Sequence, residues 1–297
     1  MSNHLSSDFQ VVDEFSNAVA RSGVVITEPV IADGVFRRVH AEGDKKGKKD
    51  AFYVLHSDGL PSGFFGHWGR NISEKWCAKS ENTLTPIERE ELQKRIAESK
   101  KQREFELAKL RETAAKKAAV MWGKARKIDT SSGHFYTHEK GVLPYGVRVL
   151  RGMLLVPVRN PNGELVGLQL IRKNENNETI KQFLTGTPTA GNYCSLGKPE
   201  GDSPTIAIGE GWATMATVYM AAQYKWPCVV AFFANNLTPV AKTIRSKFPR
   251  AKLILIADND SATEQRTGIN PGVTEARKAA LAVNGFLIAP NFNGVSA

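Results

Sequence analysis

Three carboxylates stand where a chain can do phosphate chemistry. Glu210 follows the apolar run 205–208 after one glycine, and Asp258 and Asp260 follow the apolar run 253–257. If both runs are strands of one parallel sheet, their carboxyl ends share an edge and residues distant in sequence converge there. Oxygen donors of this kind, with Gly209 and Gly211 beside them, suit a hard divalent cation, which prefers carboxylates and waters and bridges them to phosphate oxygens. Each group also has a plainer use. Asp is common in the turn after a strand, and Glu210 could complement the dipole of a following helix, an effect of ~0.3–1 kcal/mol.

The surrounding chain has the spacing that such an edge requires. Residues 213–224 read as a helix and 228–233 as a buried strand. Thr238 reads as an N-cap with Pro239 at the first helical position, opening a helix that ends near Pro249. Asn270-Pro271-Gly272 leads into a helix through Val283, Gly285 is the expected stop, and 286–289 is a fourth apolar strand. Strand and helix alternating with short connections imply a parallel sheet covered by helices on both faces.

Glu210-Gly211-Trp212-Ala213-Thr214-Met215, Asn235-Asn236-Leu237, Asp258-Asn259-Asp260 and Asn270-Pro271-Gly272, in this order, resemble the Toprim domain shared by primases, topoisomerases and some nucleases. The Glu-Gly-aromatic-Ala-Thr segment is most similar to that of primases from satellite phages and conjugative plasmids. Upstream, the strand-like run from Arg151 to Arg159, then Asn162-Gly163, the run 168–171 and Lys181-Gln182-Phe183-Leu184 resemble the basic subdomain that precedes Toprim in bacterial-type primases. The chain departs from the replicative bacterial primases in having no second acidic pair after Gly272.

The expected fold class is therefore α/β and α+β multidomain. A small N-terminal α/β module occupies 1–82, a long basic helical connector 83–127, a basic primase subdomain 128–200 and a Toprim parallel sheet covered by helices 201–297. Forty Lys and Arg against thirty Asp and Glu give a formal net charge of +10, which favours a polyanionic partner. Cys77, Cys194 and Cys228 are widely spaced, so neither a zinc ribbon nor a disulfide framework is expected. No apolar run approaches the ~18 residues of a membrane span, so no membrane association is expected. A reducing cytoplasm is the expected compartment.

In the first segment, 9–22 reads as a helix and 34–41, 51–56, 63–68 and 72–78 as short strands. Phe64, Phe65, His67, Trp68, Arg70, Lys75, Trp76 and Lys79 interleave aromatic and cationic side chains that could stack unpaired bases and grip phosphates, with Trp68, Arg70, Lys75 and Trp76 the candidate contacts. The alternate reading makes the aromatics the core of a small meander. Thr85-Pro86-Ile87-Glu88 then opens a helix reaching Lys124, read as an exposed connector with a basic end rather than a dimerising coiled coil. His134 and His138 are spaced for one helix face and read as structural. Arg148, Arg151, Arg159, Arg172, Lys173 and Lys181 flank two strands joined by a Pro161-Asn162-Gly163 turn, where they could hold template or nucleotide phosphates or be solvated charges.

What the resemblance implies is a DNA primase that makes short RNA primers on a single-stranded DNA template in plasmid or phage replication. Its substrates would be ribonucleoside triphosphates, its cofactor Mg²⁺ or Mn²⁺, and a replicative helicase a possible partner. Asp258 and Asp260 would ligate metal, and Glu210 would ligate it or assist proton transfer. A catalytic fragment is expected to begin near Ile128. Two other classes stay open: a Toprim nuclease or topoisomerase-like enzyme, and a non-catalytic module that binds single-stranded nucleic acid.

Overall fold

The computed structural model describes residues 2–44, 47–67, 70, 72–79, 85–128, 133–258 and 270–290; Trp68 and Asp260 lie outside them. The chain forms two compact units, Met1–Arg103 and Glu104–Ala297.

In the first unit, helix α1 (Ser2–Arg21) precedes four antiparallel strands, β1 (Arg37–Val39), β2 (Ala51–His56), β3 (Ser62–His67) and β4 (Ile72–Cys77), hydrogen-bonded in sequence order. Phe15 of α1 plugs one face of the sheet. Its ring lies 5.9 Å from Tyr53, 5.7 Å from Phe65 and 5.5 Å from Trp76. Trp76 thus helps to fill the core, as the meander reading has it. The Arg70 guanidinium donates to the carbonyls of Gly23 and Glu42. Lys75 is exposed.

Helix α2 (Pro86–Lys124) begins as the capping signal requires, with Pro86 at its first position and the Arg89 N–H donating to the Thr85 carbonyl. The expectation of an exposed connector is corrected at its C-terminal end. Ala114 and Ala118 are buried there, and Ala118, Met121 and Trp122 pack with Leu155, Leu168 and Leu170 of an antiparallel sheet. Small residues on one stripe of the helix let it approach the sheet, and their burial outweighs the pull of the flanking lysines toward water.

That sheet comprises β5 (Arg126–Lys127), β6 (Arg148–Leu150), β7 (Met153–Arg159), β8 (Leu165–Lys173) and β9 (Thr179–Phe183), again in sequence order, with helix α3 (Phe135–Lys140) between β5 and β6. The β7–β8 turn is held by the Asn160 side chain, which accepts from the N–H groups of Asn162 and Glu164.

The second sheet of this unit holds β10 (Cys194–Leu196), β11 (Thr205–Gly209), β12 (Cys228–Val230), β13 (Lys252–Ile256) and β14 (Phe286–Ile288), in the order β10-β12-β11-β13-β14. The last four in sequence are parallel, and β10 runs antiparallel on the edge. Helices α4 (Trp212–Ala221), α5 (Leu237–Lys247) and α6 (Pro271–Ala282) connect them. One face buries Ile206, Ile208, Leu253 and Leu255 under Val240, Ala241 and Ile244 of α5 and Ala276 and Ala279 of α6. The other buries Ala207, Val230 and Ile256 against Met215 of α4 and against Leu154, Val156 and Ile171 of the antiparallel sheet. Continuous apolar strands are what a sheet buried on both faces demands. The start of α5 differs from expectation. Thr238 and Pro239 fall inside its first turn, because a 3₁₀ turn over Ala234–Asn236 already winds the chain into the helix.

Candidate active site

The register of β11 and β13 settles where the carboxylates go. Gly209 pairs with Ile256 in parallel, so the chain leaves the sheet at the same edge on both strands, into Glu210 and into Asp258. The ladder between β11 and β12 runs on past the strand ends. The Ala231 N–H donates to the Gly209 carbonyl at 2.8 Å and the Phe232 N–H to the Glu210 carbonyl at 2.9 Å. Phe232 takes φ 70°, a left-handed conformation that costs a bulky residue ~1–3 kcal/mol. This conformation fixes the main chain of Glu210, and no sequence signal announces it.

Asp258 is cradled by two glycines. A Cβ built on Gly211, the N-cap of α4, would stand 3.8 Å from Asp258 Oδ2, so the carboxylate lies at the amino end of that helix, where the dipole favours anions. A Cβ on Gly272 would stand 2.3 Å from the Asp258 carbonyl oxygen. Only a residue without a side chain allows α6 to start so close behind Asp258. Asn270 caps α6 by accepting from the Val273 N–H at 3.3 Å, and Pro271 occupies the first position. The Asn-Pro-Gly segment therefore sets the start of α6 against the main chain of Asp258.

Glu210 and Asp258 are both half-buried. Among the described residues no group of three acidic, His or Cys side chains is close enough to hold a metal. Glu210 and Asp258 leave the sheet at the same edge and carry hard oxygen donors, whose chemistry fits Mg²⁺ or Mn²⁺. Burial pushes the Cys194 and Cys228 thiols up to about 12, so both are protonated at neutral pH.

The expected basic residues are divided among several places. Lys181 lies on the face of the antiparallel sheet that turns toward the parallel sheet, in line with Ile171 and two residues from Phe183. Its ammonium sits 5.3 Å from the Tyr136 ring, and Tyr136 lies 6.3 Å from Trp212, the first residue of α4. Phe183 meets Phe232 and Phe233 at 5.4 and 5.2 Å. Aromatic packing thus joins the Lys181 strand to the acidic edge through Phe183 and Phe233 and through Tyr136, a residue that sequence reading passed over. Lys173 is paired with Glu139 at 2.7 Å. Arg159 donates to the Gly163 carbonyl at 2.8 Å, and its main chain bridges to Tyr193. Arg172 alternates onto the opposite face, the side of Leu168 and Leu170 that meets α2. Arg151, at φ 50°, turns the chain between β6 and β7 and lines a cavity of about 430 Å³ with Lys124, Arg126 and His134. Asn236 shapes the edge: its buried amide donates to the carbonyls of Thr189, Asn192 and Ala231 and accepts from the Gly191 N–H.

In sequence the chain is similar to DNA primases over nearly its whole length. It is 31% identical over 293 residues to a DNA primase TraC of Escherichia coli, an alignment covering 94% of this chain and 26% of that protein. A second DNA primase TraC of Escherichia coli is 30% identical over 290 residues, covering 94% of this chain and 19% of that protein. The chain spans about a quarter or less of the length of these curated relatives. No protein-family model matches it. Among solved structures, the primase fragment of the bacteriophage T7 primase-helicase aligns with a TM-score of 0.37 and 16% identity, over 57% of this chain and 67% of that one. The DnaG catalytic core aligns with a TM-score of 0.36 and 11% identity, over 59% and 67%.

Proposed function

We propose that this chain carries the catalytic core of a DNA primase, with 201–297 as its Toprim domain, 128–200 as its basic subdomain, 83–127 as a helical connector and 1–82 as an accessory module. The observation that supports it best is that Glu210 and Asp258 leave a parallel sheet at the same carboxyl edge. In the proposed reaction the 3′-hydroxyl of one ribonucleotide attacks the α-phosphate of another, a phosphodiester forms, and pyrophosphate leaves with the electrons of the broken bond. A divalent cation bound at this edge would lower the pKa of the attacking hydroxyl and neutralise charge on the leaving group.

The chain's own residues do the positioning. Asp258 and, as the resemblance implies, Asp260 would hold the cation, and Glu210 would add a ligand or accept the hydroxyl proton. Lys181 and Arg159 hold phosphate oxygens of template or nucleotide, since phosphoryl transfer needs aligned charge more than covalent help. The template would be single-stranded DNA, and a replicative helicase is a natural partner. The test is incorporation of labelled ribonucleotides on a single-stranded template, with a nuclease assay alongside. Asp258→Asn should cut synthesis ~10²–10³-fold, the effect of removing one electrostatic stabiliser of a transition state. Normal synthesis by that variant would remove the active site proposed here, and strand cleavage without synthesis would reassign the chain to the nucleases.

A further inference from the structure

The N-terminal sheet has two unlike faces, and only one is closed by α1. Its register lines up Tyr53, Phe65 and Glu74 across the sheet, and Val54, Phe64 and Lys75 in the next row. Paired residues point to one side and their chain neighbours to the other. Tyr53, Leu55, Phe65 and Trp76 therefore build the core against Phe15. Phe52, Phe64, Arg38 and Lys75 belong to the other face.

On that face three phenyl rings form a ribbon. Phe36 stacks on Phe52 at 5.8 Å and 25°, and Phe52 meets Phe64 at 5.6 Å and 33°. Gly66 makes room for it, since a Cβ there would stand 2.5 Å from the Phe52 ring. Phe52 is buried at the centre, Phe64 is half-buried, and Phe36 is 48% exposed. Arg38 sits directly opposite Phe52 in the ladder and Lys75 directly opposite Phe64, both exposed. Arg38 donates through Nε and Nη2 to the Lys49 carbonyl, which holds its guanidinium at the edge of the sheet, while Asp33 is held by Arg37 at 2.7 Å, Glu28 by Lys49 and Asp50 by Lys48. The outer face of an antiparallel sheet is ordinarily polar. Near-parallel rings flanked by cations are instead the chemistry that stacks unpaired bases and tracks a phosphodiester backbone.

We propose that this face binds single-stranded DNA, with Phe36 and Phe64 stacking bases and Arg38 and Lys75 holding phosphates. Charge complementarity chooses the occupant, because the exposed Arg38 and Lys75 edge the ribbon of rings. That the strand is the template rests on the primase reading. The test uses the full chain and 5-iodouracil-substituted oligothymidylate, photocrosslinked and mapped by mass spectrometry. Crosslinks to Phe36 or Phe64 are expected, and crosslinks confined to 104–297 overturn the proposal. Phe36→Leu and Phe64→Leu should each weaken oligothymidylate binding roughly 5- to 150-fold, with melting by circular dichroism confirming the fold. Lys75→Gln should lower the salt slope by ~0.7. Unchanged affinity in both ring variants overturns the proposal, as does tighter binding of oligouridylate that the same variants abolish. Asp258→Asn, run in parallel, keeps the two claims apart. Undiminished primer synthesis by that variant would overturn the primase reading, whereas the ring variants and crosslinks report on this face alone.

Discussion

At the scale of single residues the edge is built by close approach. Gly272 and Gly211 both touch Asp258, yet they tolerate change differently. A methyl at 272 would meet main-chain atoms of Asp258 at 2.3 Å, and neither partner can turn aside. A methyl at 211 would meet the flexible Thr214 hydroxyl at 3.3 Å and the Asp258 carboxylate at 3.8 Å. Gly272→Ala should therefore cost ~1–3 kcal/mol, the usual penalty of overpacking, and shift Asp258 enough to lower synthesis. Gly211→Ala should change stability by less than about 1 kcal/mol on the same reasoning. Urea midpoints of the two variants, read against the parent, check the contrast; equal losses would mean that Gly272 has slack the geometry does not show.

At the scale of elements, the short helix α3 hangs on one histidine. His134 is its N-cap: Nδ1 accepts from the Tyr136 N–H at 3.3 Å, and Nε2 faces the Gly152 carbonyl at 2.9 Å. A ring that accepts at Nδ1 and donates from Nε2 is the neutral imidazole, and burial pushes its pKa below the ordinary 6.5. The sign follows directly. The unfolded chain takes up this proton near 6.5 and the folded chain only at lower pH, so between those values the unfolded state holds more protons. The stability owed to neutral His134 is complete above 6.5 and declines as pH falls through the window below it. His134→Asn keeps a capping oxygen without the titration, so its urea midpoint should fall less between about pH 7.5 and 5.5 than the parent's. Parallel slopes for the two proteins would assign the pH dependence elsewhere.

At the scale of the whole molecule, the placement of α2 moves the border of the catalytic part. A fragment beginning at Ile128 would strip Ala118, Met121 and Trp122 from Leu155, Leu168 and Leu170. Uncovering large apolar side chains costs ~1.5–3 kcal/mol each, so that fragment should aggregate or melt well below the chain. A fragment of 104–297 keeps the packing and should fold, with metal-dependent synthesis at high template concentration. Thermal melts of the two fragments decide it, and a stable 128–297 would show that the helix is dispensable. Net charge acts at the same scale. With +10 overall, binding of a single strand should weaken steeply with salt, log K falling by ~0.7 per phosphate contact released. Affinity that stays flat from low to moderate salt would make the positive charge incidental.

Much of this was legible in the sequence because it depends on neighbours along the chain. The apolar runs ending in Glu210 and Asp258 became β11 and β13, Asn270-Pro271-Gly272 opened α6, and Pro86 opened α2. Caps, turns and strand-length apolar runs act within a few residues, so residue types alone specify them. The short strand β10, without a flanking pattern of its own, was not legible. Phase and partnership were not legible either. In a strand the side-chain period is two, so whether Phe64 or Phe65, Arg172 or Lys181, turns toward the core depends on what packs against the sheet. The buried stripe on α2, the strained Phe232 and the aromatic path from Lys181 to Trp212 arise from contacts between distant segments. Sequence by itself determined which elements form and which carboxylates end them. Tertiary structure decided which faces meet, because burial is a property of the assembled sheet and not of any window of residues within it.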